Sequence, residues 1–153
     1  MQMAQEVQNP VLDILYVEDD AGHARLTMMC LDELPHIQHV RHVSDGEQAL
    51  DYLFRRGEFA DPRQAPRPRL ILLDLRLPRV DGLEVLRQIR SEPRLRRLPV
   101  VVLTTSDADN DVTAAYELQV NSYLVKPFDF EEFNELVRWV GTYWMKANHL
   151  PKG

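Results

Sequence analysis

The sequence predicts a doubly wound α/β domain, in which a five-stranded parallel sheet is covered by helices on both faces. Short apolar runs rich in β-branched residues alternate with longer segments whose apolar residues recur at helical spacing. Four of the five short runs are apolar throughout, which is typical of parallel strands that are buried on both faces. Five such strand–helix pairs within 153 residues indicate one domain of this class.

The strands are predicted by five apolar runs, at residues 14–17, 40–43, 70–73, 100–103 and 123–125. A helix is predicted after each run, at residues 24–34, 49–54, 83–89, 112–118 and 130–144. Helix-start signals support this order: Asp20 precedes the first helix, and Ser44 and Asp129 each stand three residues before a glutamate, the spacing of a capping box. The proline-containing segment 57–69 is predicted to be a surface loop.

The chain is expected to have a flexible N-terminal tail at residues 1–10, the domain with an extended last helix at residues 11–144, and a C-terminal tail at residues 145–153. Neither a membrane span nor a secretory signal is expected. A single cysteine, Cys30, fits a reducing cytoplasm. The 24 acidic and 18 basic residues give a net charge of −6, which argues against nucleic acid as the main partner.

Chemically active side chains follow four of the five predicted strands. Glu18 and Asp19 follow the first strand, Asp74 the third, Thr104 the fourth and Lys126 the fifth. Taken singly, an acid after a strand is usually a turn residue, and a lysine before a proline usually lies in a loop. Because the carboxyl ends of parallel strands meet at one edge of a sheet, we expect these side chains to converge in one crevice.

The acidic residues of this set predict a Mg²⁺ site. Carboxylates a few ångströms apart repel by on the order of 4 kcal/mol per pair at a surface dielectric, unless a cation neutralises them. An all-oxygen site suits Mg²⁺, and Mn²⁺ should substitute for it, whereas no histidine or cysteine has the spacing of a zinc site. A metal and an ammonium beside a carboxylate fit phosphoryl transfer, with Asp74 as the attacking group.

Four motifs, in this order, resemble the receiver domain of two-component response regulators: ILYVEDD, LILLDLRLPRVDG, VVVLTTSD and YLVKPF. The resemblance extends over residues 11–140. It implies a flavodoxin-like sheet with strand order 2-1-3-4-5, and a stand-alone regulator that takes a phosphoryl group from a histidine kinase. It also implies a phospho-acceptor that catalyses only its own phosphotransfer and dephosphorylation, and is otherwise not an enzyme.

The resemblance implies a role for each matching residue of the phosphorylation site. Asp74 is the phosphorylated aspartate and also a metal ligand. Asp19 is a direct metal ligand, Glu18 supports the metal, and the backbone carbonyl of Arg76 is a further ligand. Lys126 pairs with a phosphoryl oxygen. The Arg76 side chain is unusual at this position, and we consider two arrangements: the guanidinium covers the phosphoryl group, or it points into solvent.

The resemblance also implies a switch made of Thr104 and Tyr123. After phosphorylation, the Thr104 hydroxyl swings toward the phosphoryl oxygens, and Tyr123 turns inward to fill the space that it leaves. The surface formed by helix 4, strand 5 and helix 5 changes as a result. In this family the Lys126–Pro127 peptide bond is cis.

A narrower resemblance links the chain to single-domain regulators of bacterial phytochrome kinases. It rests on the segments DGEQALDYLFRRGEFAD, LTTSDADND and FEEFNELVRWVGTYW, together with the proline-rich loop. It implies a light-sensing histidine kinase as partner. It also implies a homodimer through helix 4, strand 5, helix 5 and the C-terminal extension. In this region Trp139 and Tyr143 widen the apolar stripe of the last helix. Ordinary core packing would also account for that stripe.

Two other functions remain open from the sequence. A Mg²⁺-dependent phosphohydrolase would also use an aspartate nucleophile, but Arg76 stands where such enzymes usually have a second aspartate. A pseudo-receiver would bind partners without phosphorylation, but the set Asp19, Asp74, Thr104 and Lys126 is complete. The residues after Trp144 are too few for a DNA-binding domain, so the expected output is a protein contact, a phosphorelay step or phosphate buffering, and we expect signalling by protein contacts.

Overall fold

A computed structural model describes residues 11–151 of the chain. The predicted N-terminal tail and the last two residues of the predicted C-terminal tail lie outside the described residues. The sheet has five parallel strands in the order β2-β1-β3-β4-β5, so the predicted fold class and strand order are confirmed. The strands are β1 (Leu12–Val17), β2 (Val40–Val43), β3 (Pro68–Leu73), β4 (Val100–Thr104) and β5 (Ser122–Val125).

Five helices alternate with the strands, and none that the structure describes is long and apolar enough to cross a membrane. They are α1 (Ala21–Asp32), α2 (Gly46–Phe54), α3 (Gly82–Ser91), α4 (Asp109–Glu117) and α5 (Phe130–Thr142). The long connection before β3 contains two short 3₁₀ helices, Gly57–Phe59 and Pro62–Gln64. Phe59 in this connection is buried, so the predicted surface loop is anchored to the core.

The two faces of the sheet bury separate hydrophobic cores. Successive side chains of a strand point to opposite faces. Leu15 and Val17 of β1 therefore lie in the core covered by α2, α3 and α4, whereas Ile14 and Tyr16 lie in the core covered by α1 and α5. β3 and β4 divide their residues in the same way, which explains why these strands are apolar on both faces.

The helix starts follow the sequence signals, with one correction. Asp20 caps α1 by accepting a hydrogen bond from the His23 amide, and Asp129 caps α5 in the same manner. The prediction that Ser44 caps α2 is wrong. The cap is Asp45, whose carboxylate accepts from the Gln48 amide at 2.7 Å, so the helix begins at Gly46, one residue after the start that a Ser44 cap would give.

The last helix does not stop at residue 144. α5 runs into a π-helical turn, Tyr143–Ala147, in which Trp144 and Met145 are both buried. Leu150 also packs against the core formed by α1 and α5. The packed part of the chain therefore extends beyond the predicted boundary and into the segment that was expected to be a tail.

Two glycines hold the loop between β3 and α3 close to its neighbours. A Cβ atom on Gly82 would lie 2.4 Å from the carbonyl oxygen of Asp74, and one on Gly46 would lie 1.8 Å from that of Val80. Gly82 also donates its amide hydrogen to the Leu75 carbonyl at 2.9 Å. The loop that follows Asp74 is thus fixed by backbone contacts that no larger residue allows.

We expect Gly82→Ala to lower the free energy of unfolding by about 1–3 kcal/mol, because its Cβ meets backbone atoms that cannot move aside as a side chain can. Gly22→Ala is the matched control, since its Cβ meets only the Asp20 carboxylate at 3.3 Å and alanine favours the helix. Urea unfolding followed by circular dichroism measures both. Equal midpoints for the two variants would contradict the prediction.

Candidate functional site

Four polar residues lie together at the carboxyl end of the sheet, where the sequence predicts a crevice. Asp74 follows β3, Glu18 follows β1, Lys126 follows β5, and Thr104 is the last residue of β4. The parallel ladder continues through them: the Asp74 amide donates to the Val17 carbonyl, and the Lys126 amide to the Thr104 carbonyl. All four side chains are buried, so their charges and hydrogen bonds act in a medium of low polarity.

The Lys126 ammonium joins three elements of the site. Its Nζ atom lies 2.6 Å from a carboxylate oxygen of Glu18, 3.0 Å from Oδ2 of Asp74 and 2.9 Å from Nδ1 of His23. An ammonium has three hydrogens to donate, and these three contacts use all of them. A buried lysine without such partners would carry a large desolvation cost, so the contacts hold the side chain in this position.

The Asp74 carboxylate is held in one orientation by donors on both oxygens. Oδ1 accepts from the Thr104 hydroxyl at 2.8 Å and from the Arg76 amide at 3.0 Å, while Oδ2 faces Lys126. Burial alone would raise the pKa of Asp74, but the amide hydrogen bond and the Lys126 ammonium together lower it below its usual value. The group is therefore an anion at neutral pH.

Glu18 behaves in the opposite way. Burial raises its pKa to about 7, and the negative charge of Asp74 adds to this effect, while the Lys126 ammonium opposes it. The Asp20 amide donates to the second oxygen of Glu18 at 3.1 Å. Two carboxylates that share one ammonium thus have opposite pKa shifts, and a further cation is needed to keep both fully ionised.

Three carboxylates offer oxygens for such a cation. Ligand atoms of Glu18, Asp19 and Asp74 all lie within 4.8 Å of one another, and Asp19 is exposed where the other two are buried. Arg76 lines a cavity of about 420 Å³ beside Asp19, which leaves room for water ligands. This all-oxygen donor set, with an opening to solvent, fits a hard divalent ion that keeps part of its hydration shell.

A profile of the response regulator receiver domain matches residues 14–138 of the chain. The chain belongs to this family. It is 44% identical over 146 residues to the probable methanogenesis regulatory protein FilR2 of Methanothrix harundinacea, covering 95% of this chain and 91% of that protein. It is 41% identical over 143 residues to response regulator Rcp1 of Synechocystis, covering 94% and 95%.

Two solved receiver structures are similar over nearly their full lengths. The crystal structure of the phosphorylated cyanobacterial phytochrome response regulator RcpA has a TM-score of 0.87 at 39% identity, covering 94% of this chain and all of that one. The Mn²⁺-bound form of Rcp1 has a TM-score of 0.87 at 40% identity, with the same coverage. The receiver fold is thus shared with regulators that are described as phosphorylated in one case and metal-bound in the other.

Thr104 and Tyr123 are the two residues to which the resemblance assigns the switch. Thr104 is fully buried, and its hydroxyl donates to Asp74 at 2.8 Å. The Tyr123 hydroxyl donates to the Ser106 carbonyl at 2.9 Å, and its ring is half-buried against the core. The Lys126–Pro127 bond is trans, as are the other peptide bonds of residues 11–151, so the cis expectation is wrong here.

The Arg76 side chain is mostly exposed and pairs with a residue of α4, a contact that the sequence analysis did not consider. Its guanidinium forms an ion pair with Asp111 on α4 and a weaker contact with the Ser106 hydroxyl at 3.4 Å. Ser106 in turn donates to the same Asp111 carboxylate. The loop after the acceptor aspartate is therefore tied to the start of α4 by a side chain that is still mostly exposed.

His23 is a site residue that the sequence analysis missed. It was set aside because no histidine has metal-ligand spacing, yet its ring contacts the Lys126 ammonium and lies 6.2 Å from the Phe133 ring in a stacked arrangement. Its position in the sequence could have identified it, because His23 lies in the first turn of the helix that follows Glu18 and Asp19. To accept from the ammonium, Nδ1 of this ring must carry no hydrogen.

We expect Asp19→Asn to weaken Mn²⁺ binding by about tenfold or more, because it removes a charged oxygen from the carboxylate cluster. The free Mn²⁺ signal in electron paramagnetic resonance titrations measures this affinity. Asp20→Asn is the matched control, since Asp20 is an adjacent exposed acid outside the cluster and asparagine also caps helices well. Equal losses in the two variants would mean that the ion responds only to the local net charge.

Proposed function

We propose that this protein is a stand-alone response regulator that accepts a phosphoryl group from a histidine kinase onto Asp74, with Mg²⁺ required and Mn²⁺ able to substitute. The observation that carries this proposal is the buried Asp74 carboxylate held between the Lys126 ammonium and the Thr104 hydroxyl, beside two further acids. Membership of the receiver family supports the phosphorylation of an aspartate at this position.

The residues present account for the chemistry of the transfer. A carboxylate oxygen of Asp74 attacks the phosphorus of a phosphohistidine, the phosphorus–nitrogen bond breaks, and its electron pair leaves with the imidazole nitrogen, giving an acyl phosphate. Lys126 and the Thr104 hydroxyl are placed to pair with the phosphoryl oxygens. Mg²⁺ bound by Glu18, Asp19, Asp74 and the Arg76 carbonyl would neutralise the remaining negative charge.

The added charge supplies a signal. Phosphorylation places about two negative charges where Thr104 now donates to a carboxylate. We infer that Thr104 then bonds to the phosphoryl group, and that Tyr123 exchanges its bond to the Ser106 carbonyl for a more buried position. The surface of α4, β5 and α5 changes, and signalling occurs through protein contacts and not through DNA.

The kinase partner is inferred from the relatives. RcpA is a cyanobacterial phytochrome response regulator, and a bacteriophytochrome response regulator, RtBRR, has 46% identity and a TM-score of 0.72, covering 94% of this chain and 86% of that one. We propose a phytochrome-type histidine kinase as the donor and the cytoplasm as the place where the two proteins meet.

We expect radiolabelled acetyl phosphate with Mg²⁺ to label the wild-type protein once per chain, and Asp74→Asn to remain unlabelled because the attacking oxygen is lost. Asp20→Asn serves as the control for a nearby acid and should label normally. The label should be stable to acid and labile to hydroxylamine, as an acyl phosphate is. Labelling of Asp74→Asn, or repeated turnover on unrelated phosphomonoesters, would contradict the proposal and favour a phosphatase.

We also propose a homodimer formed through α4, β5 and the extended α5. The stripe Phe133, Val137, Val140 and Trp144 is buried in the core of the chain itself, so this part of the helix is ordinary packing. Trp139 and Tyr143 remain: they are 54% and 40% exposed and stack on each other with ring centroids 5.4 Å apart. Tyr116 on α4 and Val125 on β5 are further exposed apolar side chains of the elements in this proposed interface.

We expect Trp139→Glu to convert a dimer into a monomer, since a carboxylate would have to be buried at the interface. The charge should not disturb folding, because Trp139 lies outside both cores. Light scattering after size-exclusion chromatography measures the mass. Val11→Glu is the control, because Val11 is also an exposed apolar residue but directly precedes β1, which is not part of the proposed interface. A variant that keeps the dimer mass, or a wild-type protein that runs as a monomer, would contradict the proposal.

A further inference from the structure

A second cavity lies at the opposite end of the sheet from Asp74. Its volume is about 490 Å³, and it opens where β3 and β4 begin, at Pro68 and Pro99. Leu98, together with Leu150 and Pro151 of the C-terminal segment, gives it further apolar walls. We call it the arginine cavity, because its remaining lining includes the four arginines Arg67, Arg69, Arg94 and Arg97.

The four guanidinium groups are not equally neutralised. Arg69 pairs with Asp13 at 3.2 Å, and Arg94 pairs with Glu92 at 3.1 Å. Arg67 donates to the Leu53 carbonyl and has no carboxylate partner within the described residues, and Arg97 has none there either. Two positive charges therefore face the cavity without a counter-ion from residues 11–151.

The local charge is opposite to that of the whole chain. The chain has a net charge of −6, yet this end of the sheet gathers cations around an apolar hollow. Burial lowers the pKa of Arg67, and the nearby Arg55 and Arg94 lower it further, while Tyr52 and Glu92 oppose this effect. A neighbouring hollow of about 300 Å³ shares Arg97 and Pro151 and adds Arg90 and Arg96.

We propose that the arginine cavity binds a small organic phosphate, a molecule that joins a phosphate dianion to an apolar or aromatic body. Guanidinium groups bind phosphate through paired hydrogen bonds and also stack on aromatic rings. The volume lies within the range of small-molecule sites, about 300–1,000 Å³. The proline and leucine walls would contact the body of the ligand, and Arg67 and Arg97 would contact its charge.

This site is separate from the proposed phosphorylation site. β3 is six residues long, so the arginine cavity lies about 20 Å from Asp74 along the strand. None of its lining residues belongs to the carboxylate cluster. Binding there would not depend on Asp74, on a divalent metal or on a kinase.

The test uses 1-naphthyl phosphate, which carries a phosphate dianion on an aromatic body. Isothermal titration of the full-length protein in EDTA should give saturable binding at one site per chain. Inorganic phosphate, which lacks the body, and 1-naphthol, which lacks the charge, should each bind at least about tenfold more weakly. The same titration with Asp74→Asn should give an unchanged affinity, which separates this proposal from the phosphorylation of Asp74.

Arg67→Gln and Arg97→Gln should each weaken binding by about tenfold, because each removes a charged hydrogen-bond donor. Arg87→Gln on α3 is the matched control, since that exposed arginine pairs with Glu84 and does not line the cavity. It should bind as the wild type does. All three variants should still be labelled by acetyl phosphate if Asp74 is the acceptor.

Three results would overturn the proposal. These are no binding up to about 1 mM, equal affinity for inorganic phosphate and for the naphthyl ester, and an affinity that Arg67→Gln and Arg97→Gln leave unchanged. Binding of a polyglutamate peptide without binding of the naphthyl ester would also overturn the proposal, and would indicate an acidic protein segment as the ligand. A melting temperature equal to that of the wild type shows that a variant which fails to bind is still folded.

Discussion

The contact between the buried Lys126 ammonium and the Asp74 carboxylate is the interaction on which the site depends. A charge buried in a protein costs several kcal/mol unless it is paired, so each group lowers the cost of burying the other. The pair forms only when the ends of β3 and β5 are both in register with β4, which lies between them. The Lys126–Asp74 pair therefore depends on the strand order and register of the sheet. Glu18 completes the contact from β1, and burial together with the charge of Asp74 raises its pKa in spite of the Lys126 ammonium.

The loop after β3 shows how backbone packing serves this pair. Gly46 and Gly82 let two helix starts approach the loop more closely than any side chain would permit. The approach fixes the Arg76 amide where it can donate to Asp74, and this hydrogen bond helps to keep the carboxylate ionised. A substitution at Gly82 therefore acts on the acceptor through the backbone, although glycine itself has no side chain to offer.

The sequence predicts the features that depend on hydrophobic periodicity and on the positions of strand ends. It does not predict side-chain contacts between residues that are far apart in the chain. The strand ends bring Asp74 and Lys126 together whatever the loops do, because parallel strands share one carboxyl edge. The Arg76 partner, Asp111, lies 35 residues further along the chain, and no local pattern relates the two. Trp139 and Trp144 are both apolar and helical in the sequence, yet only Trp144 is buried, because the outcome depends on how α5 lies against α1.

The two ends of the sheet carry opposite charge, and any direct coupling between the two sites would pass through the strands that join them. β3 and β4 begin at the arginine cavity and end at Asp74 and Thr104, so a ligand at either end contacts the same two strands. Coupling between two sites requires an element with two arrangements that both ligands distinguish. Both strands are fully paired within the sheet and buried on both faces, so a second arrangement of either strand would break its hydrogen bonds and its packing. We therefore expect the two sites to act independently, and any measured coupling would have to pass through the helices that cover the sheet.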